Sequence, residues 1–323
     1  MVKAVRIASA HVRAEVRATA AIVRLAEFRV ADRWVAPLAD APWAGDAAAP
    51  AGHMRWLGGE FFCLPFGGEA RAVAPAGWAG GTATEPLHGP SANADWTIAE
   101  VASNRVRLTL DYPPDHPVER VERTIACAPD TAAFDISVTI QARRATRVPA
   151  AFHPILRLPE HASALHLATQ FVDARTYPVT LGGGLAPDAS FTRLDAVPGA
   201  HGLVDLSRLP LGPAGEECVQ LLDVSAPITV AYPDEGFSLT LDWNRAALPH
   251  ALLWLHDRGL ATPPWNGGFR GIGIEPCAAA FGLSQEVQAG DNPIAAAGYP
   301  ITLALNPATP TRLWLRIAVE ALA

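Results

Sequence analysis

Lysine is nearly absent from this chain of 323 residues, whose single lysine, Lys3, lies near the N-terminus. Schiff-base, pyridoxal-phosphate and P-loop chemistries all need a lysine inside a pocket, so the sequence argues against these three classes. The 25 Lys and Arg residues are outnumbered by 32 Asp and Glu residues, which gives a net charge of −7. Because proteins bind duplex nucleic acid through a basic surface, this balance also disfavours a nucleic-acid partner.

Motifs for metals, nucleotides and serine hydrolases are missing as well. The sequence contains no GxSxG, no HExxH, no Asp-rich calcium loop and no GxGxxG after a predicted strand. The four cysteines lie far apart and form no CxxC pair, which predicts buried thiols and disfavours a zinc cage or a disulfide framework. They are Cys63, Cys127, Cys218 and Cys277. We therefore expect neither a metal nor an organic cofactor.

Long apolar runs are also absent. No stretch of about 18 apolar residues is present, so the sequence predicts no membrane-spanning helix. The arginines near the N-terminus are not followed by the apolar segment of a signal peptide. These observations lead us to expect a cytoplasmic protein that has no membrane partner. The sequence does not indicate an oligomeric state.

Proline and glycine are frequent instead, and 29 Pro and 26 Gly residues divide the chain into short segments. Such punctuation is typical of many-stranded β proteins. Residues 2–26 have some helical composition but no clean apolar stripe. Alternation of apolar and polar residues predicts strands at 105–112, 134–140, 218–224, 228–232, 237–243, 250–256, 271–275, 299–305 and 312–320. With no internal repeat, the pattern predicts one all-β domain over residues 1–323, an antiparallel sandwich or barrel.

Three side chains have a local context that favours a chemical role. His88 lies in a Gly/Pro turn, and His153 ends an apolar strand just before a proline. Glu275 interrupts another apolar strand, again just before a proline. A carboxylate among apolar residues is costly unless it is paired or used. We expect Ile272 and Ile274 to form one face of this strand and Glu275 the other. Alternatively, Glu275 faces solvent from an edge strand.

Four motifs in chain order resemble those of the aldose 1-epimerase, or galactose mutarotase-like, superfamily. They are Gly58–Gly67, His88-Gly89, His153-Pro154 and Ile274-Glu275-Pro276, and they extend over roughly residues 55–282. The resemblance implies a large antiparallel β-sandwich whose sugar site lies on one concave sheet. It also implies interconversion of the α and β anomers of an aldose without a cofactor.

The same resemblance implies individual roles. Glu275 is expected to be the base on the C1 hydroxyl, His153 the acid at the ring oxygen, and His88 a second histidine near C1 and O5. Arg71 is expected to bind sugar hydroxyls, and Glu217, or its neighbour Glu216, to replace a hydroxyl-binding aspartate of the family.

Residue chemistry adds one more candidate and supports the same function. Trp265 lies in a Trp-Asn-Gly-Gly loop, where a flat ring can stack on the apolar face of a pyranose. One carboxylate and one imidazole are sufficient to open and close a hemiacetal. The sequence thus predicts a mutarotase acting on a small-molecule sugar.

Three alternatives remain open. The first is a sugar-binding protein on the same fold without catalysis. The second is a sugar-phosphate mutarotase, for which Arg71 and Arg270 are the candidate phosphate ligands. The third is a lyase that uses the same residues on an acidic sugar.

Overall fold

The alternation of the sequence corresponds to two large antiparallel sheets in the computed structural model, which describes residues 3–68, 77–78, 86–212, 214–283 and 291–322. The strands are β1 (Ala4–Ala8), β2 (Val12–Arg17), β3 (Val23–Val30), β4 (Arg33–Val35), β5 (Glu60–Cys63), β6 (Thr97–Val101), β7 (Arg105–Asp111), β8 (Val118–Cys127), β9 (Ala133–Ala142), β10 (Thr146–Val148), β11 (Ala150–Arg157), β12 (Leu165–Ala168), β13 (Asp173–Thr176), β14 (Ser190–Phe191), β15 (Val197–Gly199), β16 (Gly202–Val204), β17 (Arg208–Leu209), β18 (Gly215–Leu222), β19 (Ile228–Tyr232), β20 (Phe237–Trp243), β21 (His250–Asp257), β22 (Arg270–Ala278), β23 (Leu303–Leu305) and β24 (Thr311–Ala321). Two short α-helices, α1 (Gly89–Asn93) and α2 (Pro293–Ala296), occur in the described residues, with 3₁₀ turns at Gly52–Trp56, Leu194–Ala196 and Pro233–Glu235. None of these helices is long and apolar enough to cross a membrane.

The strand order defines a sandwich. The first sheet runs β1-β2-β3-β5-β11-β22-β21-β18-β13-β14, with β4 paired to β3. The second sheet runs β17-β12-β19-β20-β24-β9-β8-β7-β6. All strand pairs within the two sheets are antiparallel. Side chains of both sheets meet in one core cluster, where the ring of Phe28 stacks 5.6 Å from that of Phe134. The expected large antiparallel β-sandwich is confirmed.

The first sheet is covered on both faces. Because side chains alternate along a strand, β11 sends Phe152 and Leu156 into the core between the sheets. It sends Ala151 and Ile155 to the opposite face, where they belong to a second apolar cluster with Phe61. This second cluster forms the floor of the candidate site.

Most predicted strands are confirmed within a few residues. The turn at 233–236 is a 3₁₀ turn that ends at Gly236 with a positive φ of 64°, a conformation that suits glycine. The prediction at 299–305 was too long, since only Leu303–Leu305 forms a strand. Residues 4–30 fold into β1, β2 and β3, and three of their arginines pair with acidic side chains, as Arg13 does with Glu27. No disulfide joins the four cysteines, and all four thiols are buried, as predicted.

One ion pair joins the two sheets through the core. Glu60 of β5 and Arg123 of β8 contact each other, and both side chains are fully buried. Within the described part of the chain, Oε1 of Glu60 and Nε of Arg123 have no hydrogen-bond partner. Each charge therefore depends on the other, because neither is solvated by water.

We expect Glu60→Gln or Arg123→Met alone to lower the free energy of unfolding by about 3–5 kcal/mol, because each leaves one uncompensated buried charge. The double variant, Glu60→Leu with Arg123→Met, should recover most of that loss, since it removes both charges and keeps apolar volume. Urea unfolding followed by fluorescence measures all three. A double variant as unstable as the singles would show that packing, and not charge, dominates here.

Candidate active site

His153 and Glu275 face each other on neighbouring strands of the first sheet. The register of β11 and β22 pairs Ala151 with Cys277, which brings His153 opposite Glu275. Nε2 of His153 lies 3.3 Å from Oε1 of Glu275. A proline follows each residue, and proline donates no hydrogen bond to a sheet, so both prolines are unusual in strands that have neighbours on either side.

The side chain of Glu275 points away from the core between the sheets. Ile272 and Ile274 belong to that core, as predicted from the alternation, whereas Glu275 lines a cavity of about 630 Å³ on the other face. The edge-strand alternative was wrong, because β22 lies between β11 and β21 and only 1% of Glu275 is exposed. Gly273 makes room for the carboxylate, since a Cβ at this position would lie 2.5 Å from Oε1 of Glu275.

His88 reaches the same cavity from the N-terminus of α1. The backbone of His88 has a positive φ of 64°. Its backbone N–H donates to the carbonyl oxygen of Gly67 at 2.6 Å. The N–H of Gly67 donates in turn to Nδ1 of His88 at 3.4 Å. The imidazole stacks on Phe66 and stands edge-on to His153, with ring centroids 5.0 Å apart.

A third histidine, His53, completes the cluster, and sequence reasoning missed it. It lies in the 3₁₀ turn Gly52–Trp56 and is 2% exposed. Its Nδ1 is 3.2 Å from the carbonyl oxygen of Ala92, and its ring centroid is 5.2 Å from that of His88. The available signal was its position just before the Gly58-Gly59 motif. Across the described residues, no group of three or more His, Cys, Asp or Glu side chains is placed to hold a metal ion.

Burial controls the protonation of these groups. Desolvation lowers the pKa of His153 to about 3 and that of His53 to about 4. Desolvation, with the neighbouring imidazoles, places the pKa of His88 well below its usual value. Burial raises the pKa of Glu275 well above its usual value. His153 and Glu275 can thus share one proton, which converts a neutral pair into an imidazolium and a carboxylate when it moves between them.

Aromatic rings form another wall of the cavity. Trp254 and Trp265 both line it, with ring centroids 6.1 Å apart. The indole N–H of Trp254 donates to Oε1 of Glu216 at 2.8 Å. Trp265 packs edge-on against Trp43 with centroids 4.9 Å apart. The predicted loop tryptophan is therefore at the cavity, whereas Trp243 is buried in the core between the sheets.

Glu217 and Arg270, which the sequence also suggested for the site, do not line the cavity. Glu217 does not reach the cavity, because consecutive residues of β18 point to opposite faces, and Glu216 lines the cavity instead. The Oε1 of Glu217 accepts a hydrogen bond from the N–H of Leu185 at 2.9 Å. Arg71 lies outside the described residues. Arg270 is paired with Asp257 at 2.7 Å and does not line the cavity.

Comparison with solved structures identifies the class of fold. An aldose epimerase homologue from C. elegans superposes over 99% of this chain and 99% of its own, with a TM-score of 0.67 and 13% identity. A galactose mutarotase-like protein from Clostridium acetobutylicum superposes over 99% and 95%, with a TM-score of 0.64 and 11% identity. One from Lactobacillus casei superposes over 98% and 99%, with a TM-score of 0.58 and 15% identity. No family model matches the sequence, and no curated protein matches it significantly. The chain thus has the galactose mutarotase-like fold that its motifs predicted.

The buried carboxyl of Glu275 should make stability depend on pH. Because its pKa is raised in the folded chain, the folded state keeps a proton that the unfolded state releases above a pKa of about 4.3. Its contribution to the free energy of unfolding therefore falls as pH rises from that value toward the folded pKa. The slope is at most about 1.4 kcal/mol per pH unit for one proton.

Glu275→Gln removes this titration, so we expect the variant to gain stability relative to the natural chain as pH rises from 5 to 8. Urea unfolding at each pH measures the difference. The exposed Glu119 provides the control. The free energy of unfolding of Glu119→Gln should differ from that of the natural chain by the same amount at every pH. Parallel pH profiles for the natural chain and Glu275→Gln would show that Glu275 is already ionised in the folded state.

Proposed function

We propose that this chain is a cofactor-independent aldose 1-epimerase that interconverts the α and β anomers of a neutral hexose. The observation that carries the proposal is the buried His153–Glu275 pair, 3.3 Å apart on the wall of a cavity. A cavity that bound sugar without catalysis would have no use for an acid and a base that share one proton.

The pair supplies both proton transfers of ring opening. The carboxylate of Glu275 takes the proton of the C1 hydroxyl while the imidazolium of His153 gives its proton to the ring oxygen. The bond between C1 and the ring oxygen then breaks, and C1 becomes an aldehyde. Rotation about the C1–C2 bond presents the other face of the carbonyl. On closure His153 recovers its proton from the attacking hydroxyl, and Glu275 returns its proton to the carbonyl oxygen.

The electrostatics suit this chemistry. Burial opposes the charged form of both groups, so the ion pair lies at higher energy than the neutral pair and reacts readily with a substrate that neutralises it. Oε2 of Glu275 is buried and has no hydrogen-bond partner among the described residues, so the carboxyl retains hydrogen-bonding capacity that the protein does not use. Trp254 and Trp265 offer flat apolar surfaces for the pyranose ring.

Charge on the cavity wall favours a neutral sugar over a sugar phosphate. The described lining residues include Glu216 and Glu275 but neither Arg nor Lys. Arg71 is the one basic residue of the chain outside the described ranges, so at most one guanidinium could be added to this wall. Binding a phosphate or a uronate next to the carboxyl groups of Glu216 and Glu275 needs more positive charge than that.

Anomer exchange followed by NMR tests the proposal. We expect the protein to accelerate exchange of a neutral aldose such as glucose or galactose and to leave glucose 6-phosphate at its spontaneous rate. Glu275→Gln should lower kcat by about 10²–10⁴-fold, because the amide cannot accept the proton. Glu119→Gln, again the exposed control, should retain full activity. Sugar binding without acceleration by the natural chain would identify a binding protein instead.

His153→Asn should separate catalysis from binding. We expect kcat to fall by about 10²–10⁴-fold while KM changes little, because the imidazole acts on the transition state through its proton. Steady-state anomer exchange over a range of sugar concentrations measures both constants. The exposed His201 provides a control variant, His201→Asn. A raised KM with normal kcat would make His153 a binding contact and remove the acid from the mechanism.

A further inference from the structure

His53 has no part in the proton transfers, yet it is buried in the wall of the same cavity. Two acceptors contact its imidazole, the carbonyl oxygen of Ala92 and the side chain of Asn93, whose amide nitrogen already donates to the carbonyl oxygens of Leu87 and Gly89. A carbonyl oxygen can only accept, so the 3.2 Å contact between Nδ1 of His53 and the oxygen of Ala92 requires a proton on Nδ1. Burial lowers the pKa of His53 to about 4, which keeps the ring neutral at physiological pH. Its Nε2 therefore carries a lone pair and acts as an acceptor.

His88 has the opposite tautomer. The backbone N–H of Gly67 donates to Nδ1 of His88, so this nitrogen carries the lone pair. Burial together with the neighbouring imidazoles keeps this ring neutral as well. Its proton must then be on Nε2, which acts as a donor.

The two rings stand edge-on with centroids 5.2 Å apart, and both line the cavity. We propose that His53 and His88 form a subsite selective for one sugar hydroxyl, which donates to Nε2 of His53 and accepts from the Nε2–H of His88. This inference rests on the proposed function, because it assigns a part of the same sugar to the site. His53 is then a specificity-determining residue and not an acid or a base.

The chemistry of the pair explains its selectivity. A hydroxyl is both donor and acceptor, so it satisfies both nitrogens. A methylene satisfies neither nitrogen and leaves two buried polar groups unpaired. An ammonium can donate to His53 but cannot accept from His88. The site therefore rejects both a deoxy sugar and an amino sugar at this position.

The position of the pair indicates which hydroxyl it holds. The ring of His88 lies 5.0 Å from that of His153, which bears the proton for the ring oxygen. The selected hydroxyl therefore lies close to the bond between C1 and the ring oxygen. It is either the hydroxyl of C2, which is bonded to C1, or the hydroxyl of C6, which is carried by the carbon next to the ring oxygen. C3 is the ring atom opposite the ring oxygen, so its hydroxyl is further in space from the reacting bond than either of these, which makes 3-deoxyglucose a matched control.

Two variants separate the two nitrogens of His53. In His53→Asn the amide nitrogen takes the place of Nδ1 and keeps the bond to Ala92, while the cavity acceptor is removed. In His53→Gln the longer amide restores a polar atom near the place of Nε2. Because the ring packs against Phe61 with centroids 5.1 Å apart, thermal unfolding of both variants establishes that they are folded.

The experiment compares glucose with its 2-deoxy, 6-deoxy and 3-deoxy analogues. We expect the natural protein to lose about 10–100-fold in kcat/KM on either the 2-deoxy or the 6-deoxy sugar, the cost of unpaired buried groups, and to lose little on the 3-deoxy sugar. His53→Asn should lose a similar factor on glucose and no longer distinguish the sensitive analogue. His53→Gln should recover part of the kcat/KM on glucose and part of the discrimination against the sensitive analogue. Equal selectivity in the natural chain and in His53→Asn would overturn the assignment.

A binding measurement keeps this inference separate from the proposed activity. Calorimetric titration of Glu275→Gln with glucose and with the sensitive analogue needs no turnover, and His53→Asn in that background should abolish the difference in Kd. If the natural chain shows this difference in Kd but does not accelerate anomer exchange, the epimerase is refuted and the subsite is supported. If the natural chain accelerates anomer exchange but His53→Asn does not change the difference in Kd, the epimerase is supported and the subsite is refuted.

Discussion

Burial of ionisable side chains on both faces of one sheet is the constraint on which this structure depends. Glu60 points into the core between the sheets and pairs with Arg123. His153 and Glu275 point to the opposite face and pair with each other. The two pairs are close neighbours in the sheet, because Glu60 is the register partner of Pro154. Each pair is stable only as a pair, since removing one member leaves a desolvated charge or an unpaired polar atom.

The two pairs meet this constraint in different ways. Arg123 and Glu60 contact each other across the core and join the two sheets. An imidazole and a carboxyl can exchange a proton and become neutral, because burial moves their pKa values in opposite directions. Only the second pair opens onto a cavity that can admit a ligand. Buried charge thus joins the two sheets on one face of this sheet and lines a cavity with a proton-sharing pair on the other.

The cavity is polar at one end and aromatic at the other. The imidazoles of His53 and His88 lie beside the His153–Glu275 pair, and each of them contacts a backbone group through Nδ1. Trp254 and Trp265 form the aromatic side, with Glu216 bonded to the first of them. This division suits a pyranose, whose ring has apolar faces and a polar edge.

Local sequence determined much of this protein. Alternating residues predicted most strands, and the isolated polar residues before prolines marked His153 and Glu275. Tertiary structure decided the rest. Glu216 and Glu217 are adjacent and identical, so the face that each occupies depended on the pairing of β18 with β21. His53 belongs to no motif and became part of the site only because its turn packs beside α1. Strand propensity depends on neighbouring residues, whereas register and packing depend on residues far apart in the chain, and these decide which side chains share a cavity.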